Sequence, residues 1–116
     1  MNQSANACKV TLHLQEHDYD TLRRVRGGVL STLLDSVMLE SVHTSMPAGK
    51  RCLPHELRVN FHRPVDEDAG EIFAEGHVVS CSSRLATAEG RITDVKGYVY
   101  ATASATCLVE DFVNPR

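Results

Sequence analysis

The stretch Arg26-Gly27-Gly28-Val29-Leu30-Ser31-Thr32-Leu33-Leu34-Asp35-Ser36-Val37-Met38 decides the fold of this chain. It reads as an apolar helix opened by two glycines, with a carboxylate in its middle. A helix start offers unpaired N–H groups and the positive end of its dipole, suited to an oxygen that gains negative charge. Asp35 follows Gly27 by eight residues, which is about 12 Å along an α-helix axis. The two groups of one chain therefore cannot hold the same reacting atom. One helix supplies half a site, and a second copy of the chain could supply the other half.

With residues about 100° apart, Val29, Leu30, Leu33, Leu34 and Val37 form a stripe expected to face a sheet. Asp35 projects about 150° from the centre of that stripe, beside Met38, Leu39 and Val42. A monomer would leave this second apolar patch in water. Another subunit covering it would also desolvate Asp35, as suits a general base; a merely exposed carboxylate is the plain alternative. Glu40 projects near the sheet-facing stripe, where an unpaired carboxylate is costly, so fraying there or pairing with His43 is expected.

On either side of the helix the period is two. Lys9 to Gln15 alternates and reads as a strand after a flexible start over 1–8. Asp18 to Arg24 is a polar connection, and Met46-Pro47-Ala48-Gly49-Lys50 ends the helix. Leu57, Val59 and Phe61 alternate with Arg58, Asn60 and His62 until Pro64. Further strands are expected at Glu71–Val79, Leu85–Thr93 and Tyr98–Val109, with Asp94-Val95-Lys96-Gly97 as a hairpin loop. Ala101, Ala103 and Ala105 alternate with Thr102, Ser104 and Thr106 in the last strand, so something bulky presses on that face. The helix is the candidate. The expected architecture is α+β, one domain over 1–116, with a curved, largely antiparallel sheet wrapped round one long helix.

Composition narrows the function. A net charge of −3 gives no electrostatic support to a nucleic-acid partner. The group Arg23, Arg24 and Arg26 suits a solvated edge or an anion contact. No stretch approaches the roughly 20 apolar residues of a membrane span. Cys8, Cys52, Cys81 and Cys107 are far apart, as free thiols in a reducing cytoplasm would be. The chain has no Gly-x-Ser-x-Gly elbow, no His-Glu-x-x-His frame and no phosphate loop. No metal site is expected. His55 and His62 are candidates to line a pocket, although a histidine beside a strand is commonly structural.

These residues resemble a family. Gly27 to Ser36, Val42 to Gly49, Leu57-Arg58-Val59-Asn60-Phe61-His62-Arg63-Pro64 and Ala86 to Asp94 are similar to the hotdog-fold acyl-CoA thioesterases, in particular the phenylacetate-degradation-type (PaaI-like) branch. The resemblance runs from about residue 10 to 110. It implies a homodimer, or a homotetramer of two dimers, with sites at the interface and an acyl-CoA thioester as substrate. It implies Asp35 as nucleophile or general base and the Gly27 N–H of the other subunit as the group that polarises the carbonyl. Arg26 and Gly28 flank that donor as substrate contacts. Ser83 and Arg84, in the turn before the fourth strand, are candidates to hold the CoA phosphates. No cofactor is implied beyond the CoA of the substrate.

Three positions depart from the family pattern. Arg26 stands where histidine is usual, Asp20 where asparagine or glutamine is common, and Pro54 near the place of a serine or threonine. A proline has neither hydroxyl nor N–H to orient a water. An acyl-CoA-binding or sensing protein without turnover is therefore the alternative, and a purely structural interaction domain the third reading.

Overall fold

The computed structural model describes residues 2–4 and 6–111. The strands are β1 (Asn2–Ser4), β2 (Ala7–Thr11), β3 (Lys50–Phe61), β4 (Ile72–Cys81), β5 (Leu85–Asp94) and β6 (Val99–Asp111). One long helix, α1, spans Gly27–His43. All pairings are antiparallel, in the order β1-β2-β4-β5-β6-β3. The expected sheet and central helix are both present.

Small residues set how closely helix and sheet approach. Gly76 and Gly90 are cross-strand partners in β4 and β5. A Cβ on Gly76 would lie 2.6 Å from the Val37 carbonyl oxygen, and one on Gly90 would lie 3.2 Å from Met38 Cγ. Helix backbone thus rests almost directly on sheet backbone. Ala101, Ala103 and Ala105 are buried on the same side, as their alternation implied.

This close seat rotates α1 from the expected orientation. The buried residues are Leu30, Leu34, Val37, Met38, Ser41 and Val42. Met38 and Val42 therefore belong to the core, and the second apolar patch beside Asp35 does not exist as projected. Val29 and Leu33 are only partly buried. The helix continues through His43 without ending at Glu40, which is partly buried and close enough to raise the Cys8 thiol pKa, after the larger effect of burial. His43 Nε2 lies 3.3 Å from Cys52 Sγ. The buried Ser41 hydroxyl donates to the Met38 carbonyl at 2.7 Å, which satisfies it inside the core.

The strand boundaries differ from the sequence reading at the start of the chain, at the end of β2 and at the start of β3. The start of the chain carries a hairpin, with Asn2 to Ser4 paired to Ala7 to Lys9. Asn6, at φ 74°, makes the turn, and its N–H donates to Thr44 Oγ1 at the end of α1. The strand expected at 9–15 stops at Thr11, because the Asp18 carboxylate accepts the Gln15 N–H at 2.8 Å and folds 16–18 into a short turn.

β3 begins seven residues before Leu57 and runs straight through Pro54. A proline is tolerated there because β3 is the sheet edge, and the register shifts between Pro54 and Glu56. Gly97 has φ 89°, as the hairpin loop after Asp94 demands. Substituting Gly76 with alanine drives a methyl group into helix backbone, so the variant should lose about 1–3 kcal/mol in denaturant unfolding. Gly28→Ala meets nothing within 4 Å and should be neutral or stabilising by about 0.5–1 kcal/mol.

Candidate active site

The loop before α1 is held from several sides. Val25 N–H donates to the Val65 carbonyl at 2.7 Å, and Arg26 N–H to the Asp18 carbonyl at 2.9 Å. Asp20 Oδ1 accepts from the Leu22 and Arg24 N–H groups at 2.8 and 3.0 Å. Those bonds, the one from Arg24 foremost, hold the Asp20 carboxyl below the usual carboxylate range. Arg23, at φ 60°, joins Glu16 and Glu67 and lies over the Tyr19 ring at 4.8 Å. This clasp fixes where the helix begins.

That beginning lacks the usual neutralising groups. Arg26 is the N-cap and makes no side-chain cap bond, and no acidic residue occupies the first turn. Among the described residues the Gly27 and Gly28 N–H groups have no acceptor. The positive end of the helix dipole is therefore open to a ligand oxygen. A Cβ on Gly27 would lie 3.2 Å from Phe61 Cζ, so the ring of Phe61 covers this residue.

Two cavities flank the helix start. One, of about 390 Å³, includes Gly27 and Asp20, with Arg24, His62 and Arg63 on its rim. The other, of about 650 Å³, includes Arg26 and Gly28 with Leu12, Val29 and Leu33. Of the two candidate histidines, His62 lines the first cavity, with Nε2 2.8 Å from Thr102 Oγ1. His55 is exposed at the β3 irregularity.

Asp35 lines neither cavity and is partly buried. It lies toward two thiols of β3 and β6. Burial, then the neighbouring Cys52, pushes the Cys107 thiol up to about 11, and the Asp35 carboxylate adds least. The Cys52 thiol is raised as well, first by burial. Neither is a thiolate near neutral pH, so these cysteines are not nucleophiles. Among the described residues no three His, Cys, Asp or Glu side chains converge as a metal site.

Ser83 and Arg84 are exposed in the β4–β5 turn, where the Arg84 carbonyl accepts the Val109 N–H at 2.8 Å. That turn adjoins the row Leu85–Leu108–Leu53, at the end of the sheet where Cys52 meets His43. Gly27 lies at the opposite end, against Phe61. One protomer thus gathers Gly27 with Asp20, and Arg26 with Gly28, but keeps Asp35, Ser83 and Arg84 away from Gly27.

Arg24 and Arg63 were not legible as partners of Gly27. Arg63 belongs to the Asn60-Phe61-His62-Arg63-Pro64 run, yet only the folded sheet puts it over Tyr98 and Tyr100 at the cavity rim.

Solved structures share this fold. A thioesterase from Haemophilus influenzae superposes with TM-score 0.88 at 14% identity, covering 98% of this chain and 78% of its own. A Bacillus halodurans protein solved with CoA gives TM-score 0.78 at 23% identity, over 86% of this chain and 69% of its own. A mutant form of the phenylacetic acid degradation protein PaaI from Thermus thermophilus gives 0.82 at 20%, over 93% and 89%. No curated protein matches the sequence significantly. The thioesterase superfamily model matches residues 24–101, and the chain belongs to that superfamily.

Proposed function

We propose that this protein hydrolyses acyl-CoA thioesters as a homodimer, or as a homotetramer of two such dimers, in a reducing cytoplasm. Each site combines Asp35 of one protomer with the Gly27 N–H of its partner. The observation that carries this reading is the open edge of β3. Among the described residues no strand pairs with its outer side. Leu57 and Phe61, 44% and 53% exposed, pair with the buried Ala105 and Ala101 and so point to the face that carries α1. An edge this long, with apolar side chains beside it, invites a second copy.

Because α1 starts near Phe61 and ends near Cys52, it runs opposite to β3. Antiparallel pairing of two β3 strands about a two-fold axis would set the helix start of one protomer against the later part of its partner's helix. That arrangement supplies the missing half-sites. The partner's β4–β5 turn, with Ser83 and Arg84, would approach the same side, where CoA phosphates need cations.

The chemistry needs no cofactor beyond the substrate's own CoA. Asp35 attacks the thioester carbonyl, or takes a proton from a water that does so. The carbon–oxygen bond forms, and the Gly27 N–H stabilises the oxyanion. The carbon–sulfur bond then breaks, and CoA leaves as a thiolate that takes up a proton. With Asp35 attacking, water afterwards hydrolyses the acyl-aspartate.

One observation favours the alternative, a protein that binds acyl-CoA without turnover. Asp20 spends one oxygen on two backbone N–H groups and is an acceptor only, and Pro54 has no hydroxyl. Saturable acyl-CoA binding with no thiol release would establish that reading.

Thiol release from a panel of short, aromatic and long acyl-CoA thioesters tests the proposal. Asp35→Ala should reduce turnover at least about 100-fold. Gly27→Pro removes the donor at a helix position that accepts proline, and Arg26 already has ψ 138° as a residue before proline requires. It should cost about 100- to 1,000-fold in kcat.

The two dead variants should complement one another. Heterodimers form half of a random mixture and each holds one intact site of two, so refolding them together at equal amounts should restore roughly one quarter of wild-type activity. A site confined to one protomer would give no recovery.

A further inference from the structure

The cavity beside Gly27 carries more positive charge than folding requires. Among the described residues Arg23, Lys50 and Arg91 each reach a carboxylate. Arg24 and Arg63, both exposed, have no carboxylate within ion-pair distance among the described residues, and Arg24 is near enough to Asp20 to help hold its carboxyl down. Arg63 instead lies over Tyr98 and Tyr100, at 5.1 and 5.8 Å from the ring centres. The cavity's own carboxylate, Asp20, is tied to two backbone N–H groups. The start of α1 adds the positive end of a helix dipole, with no acidic residue in its first turn. The same lining includes the apolar side chains of Val25, Leu30, Phe61 and Val65.

From this we infer that the cavity is the acyl pocket, and that it selects a compact acyl group ending in a carboxylate, with Arg24 and Arg63 as the specificity-determining residues. The inference rests on the hydrolase reading for the position of the thioester at Gly27. At about 390 Å³ the cavity is at the small end of ligand pockets, roughly 300–1,000 Å³. A short methylene chain fits the apolar side chains, and a remote carboxylate meets the guanidinium groups.

The same cationic rim would also attract a phosphate of CoA. The acyl carboxylate is favoured because the cavity adjoins the Gly27 donor that would hold the thioester, whereas the pantetheine arm sets a CoA phosphate far from that thioester.

The test compares kcat/KM for glutaryl and pentanoyl thioesters, each carried on CoA and on N-acetylcysteamine, which has no phosphate. Glutaryl should be preferred about tenfold or more on both carriers, as charge-assisted hydrogen bonds to a carboxylate imply. Arg24→Gln and Arg63→Gln should each reduce that ratio about tenfold, and Arg24→Lys should retain most of it. Unfolding midpoints identify any variant that has lost its fold, and Arg24→Gln alone suffices if Arg63→Gln is one.

Equal use of glutaryl and pentanoyl thioesters overturns the inference. So does a penalty that is the same for both acyl groups on CoA and absent on N-acetylcysteamine, since that pattern identifies a phosphate site. If no thioester is cleaved, the hydrolase reading fails separately. Calorimetric binding of the thioether analogues of the two N-acetylcysteamine esters then decides: tighter binding of the carboxylated analogue, lost in Arg24→Gln, upholds the pocket, and equal binding overturns it.

Discussion

The fold depends on one close approach, helix backbone at Val37 against sheet backbone at Gly76. With a Cβ there only 2.6 Å from the Val37 oxygen, glycine is the residue the packing accepts. The contact sets both the height of α1 above the sheet and its rotation. Met38 is drawn over Gly90 and Val42 into the core, while Leu33 and Asp35 remain partly outside. The position of the acid is therefore a consequence of where two side chains are absent. Burial of Leu34, Val37, Met38 and Val42 at roughly 1.5–3 kcal/mol each then holds the helix in that seat.

The helix limits, the inward alanines and the hairpin glycine were legible because each follows from local periodicity or a backbone angle. The rotation of α1 was not. A helical wheel weighs hydrophobicity alone, and it placed Met38 and Val42 with Asp35 because it could not see Gly76 and Gly90 on another element. β3 was read short for a similar reason. Proline is a strand breaker in sequence, yet Pro54 lies in an edge strand whose outer side makes no ladder bonds among the described residues. Gly27 and Asp35 are candidates from their eight-residue spacing, whereas Arg24 and Arg63 reach the cavity beside Gly27 from loops far apart in sequence. Such a convergence has no signature along the chain.

A protomer of this shape is unfinished. The core beneath α1 is closed, but among the described residues β3 leaves an unpaired backbone row, and beside it Leu57 and Phe61 stay about half exposed on the face that carries α1. Antiparallel pairing across a two-fold axis would satisfy the backbone and cover the apolar groups in one step. The direction of α1 relative to β3 means the same operation joins unlike helix halves. Assembly and site formation would then be one event, in keeping with the absence of Asp35 from both cavities at the helix start.

The start of α1 also runs against the rules that stabilise helices. An N-cap that makes no side-chain bond forgoes about 1 kcal/mol relative to serine or aspartate, and cations near the positive end of the dipole are unfavourable. Here Arg26 is the cap, Arg24 lies just before it, and Arg63 lines the adjoining cavity. Elsewhere Asp66 caps its own short turn, and Arg23, Lys50 and Arg91 are paired, while Arg58, Arg84 and Lys96 point to solvent. At the helix start the loop clasp of Arg23 with Glu16 and Glu67 holds the backbone against this unfavourable charge. Local conflict maintained by surrounding structure is what a binding site imposes on a fold. Asp20 is the carboxylate in that lining and is held by backbone N–H groups, so a ligand oxygen can offset the positive charge that remains.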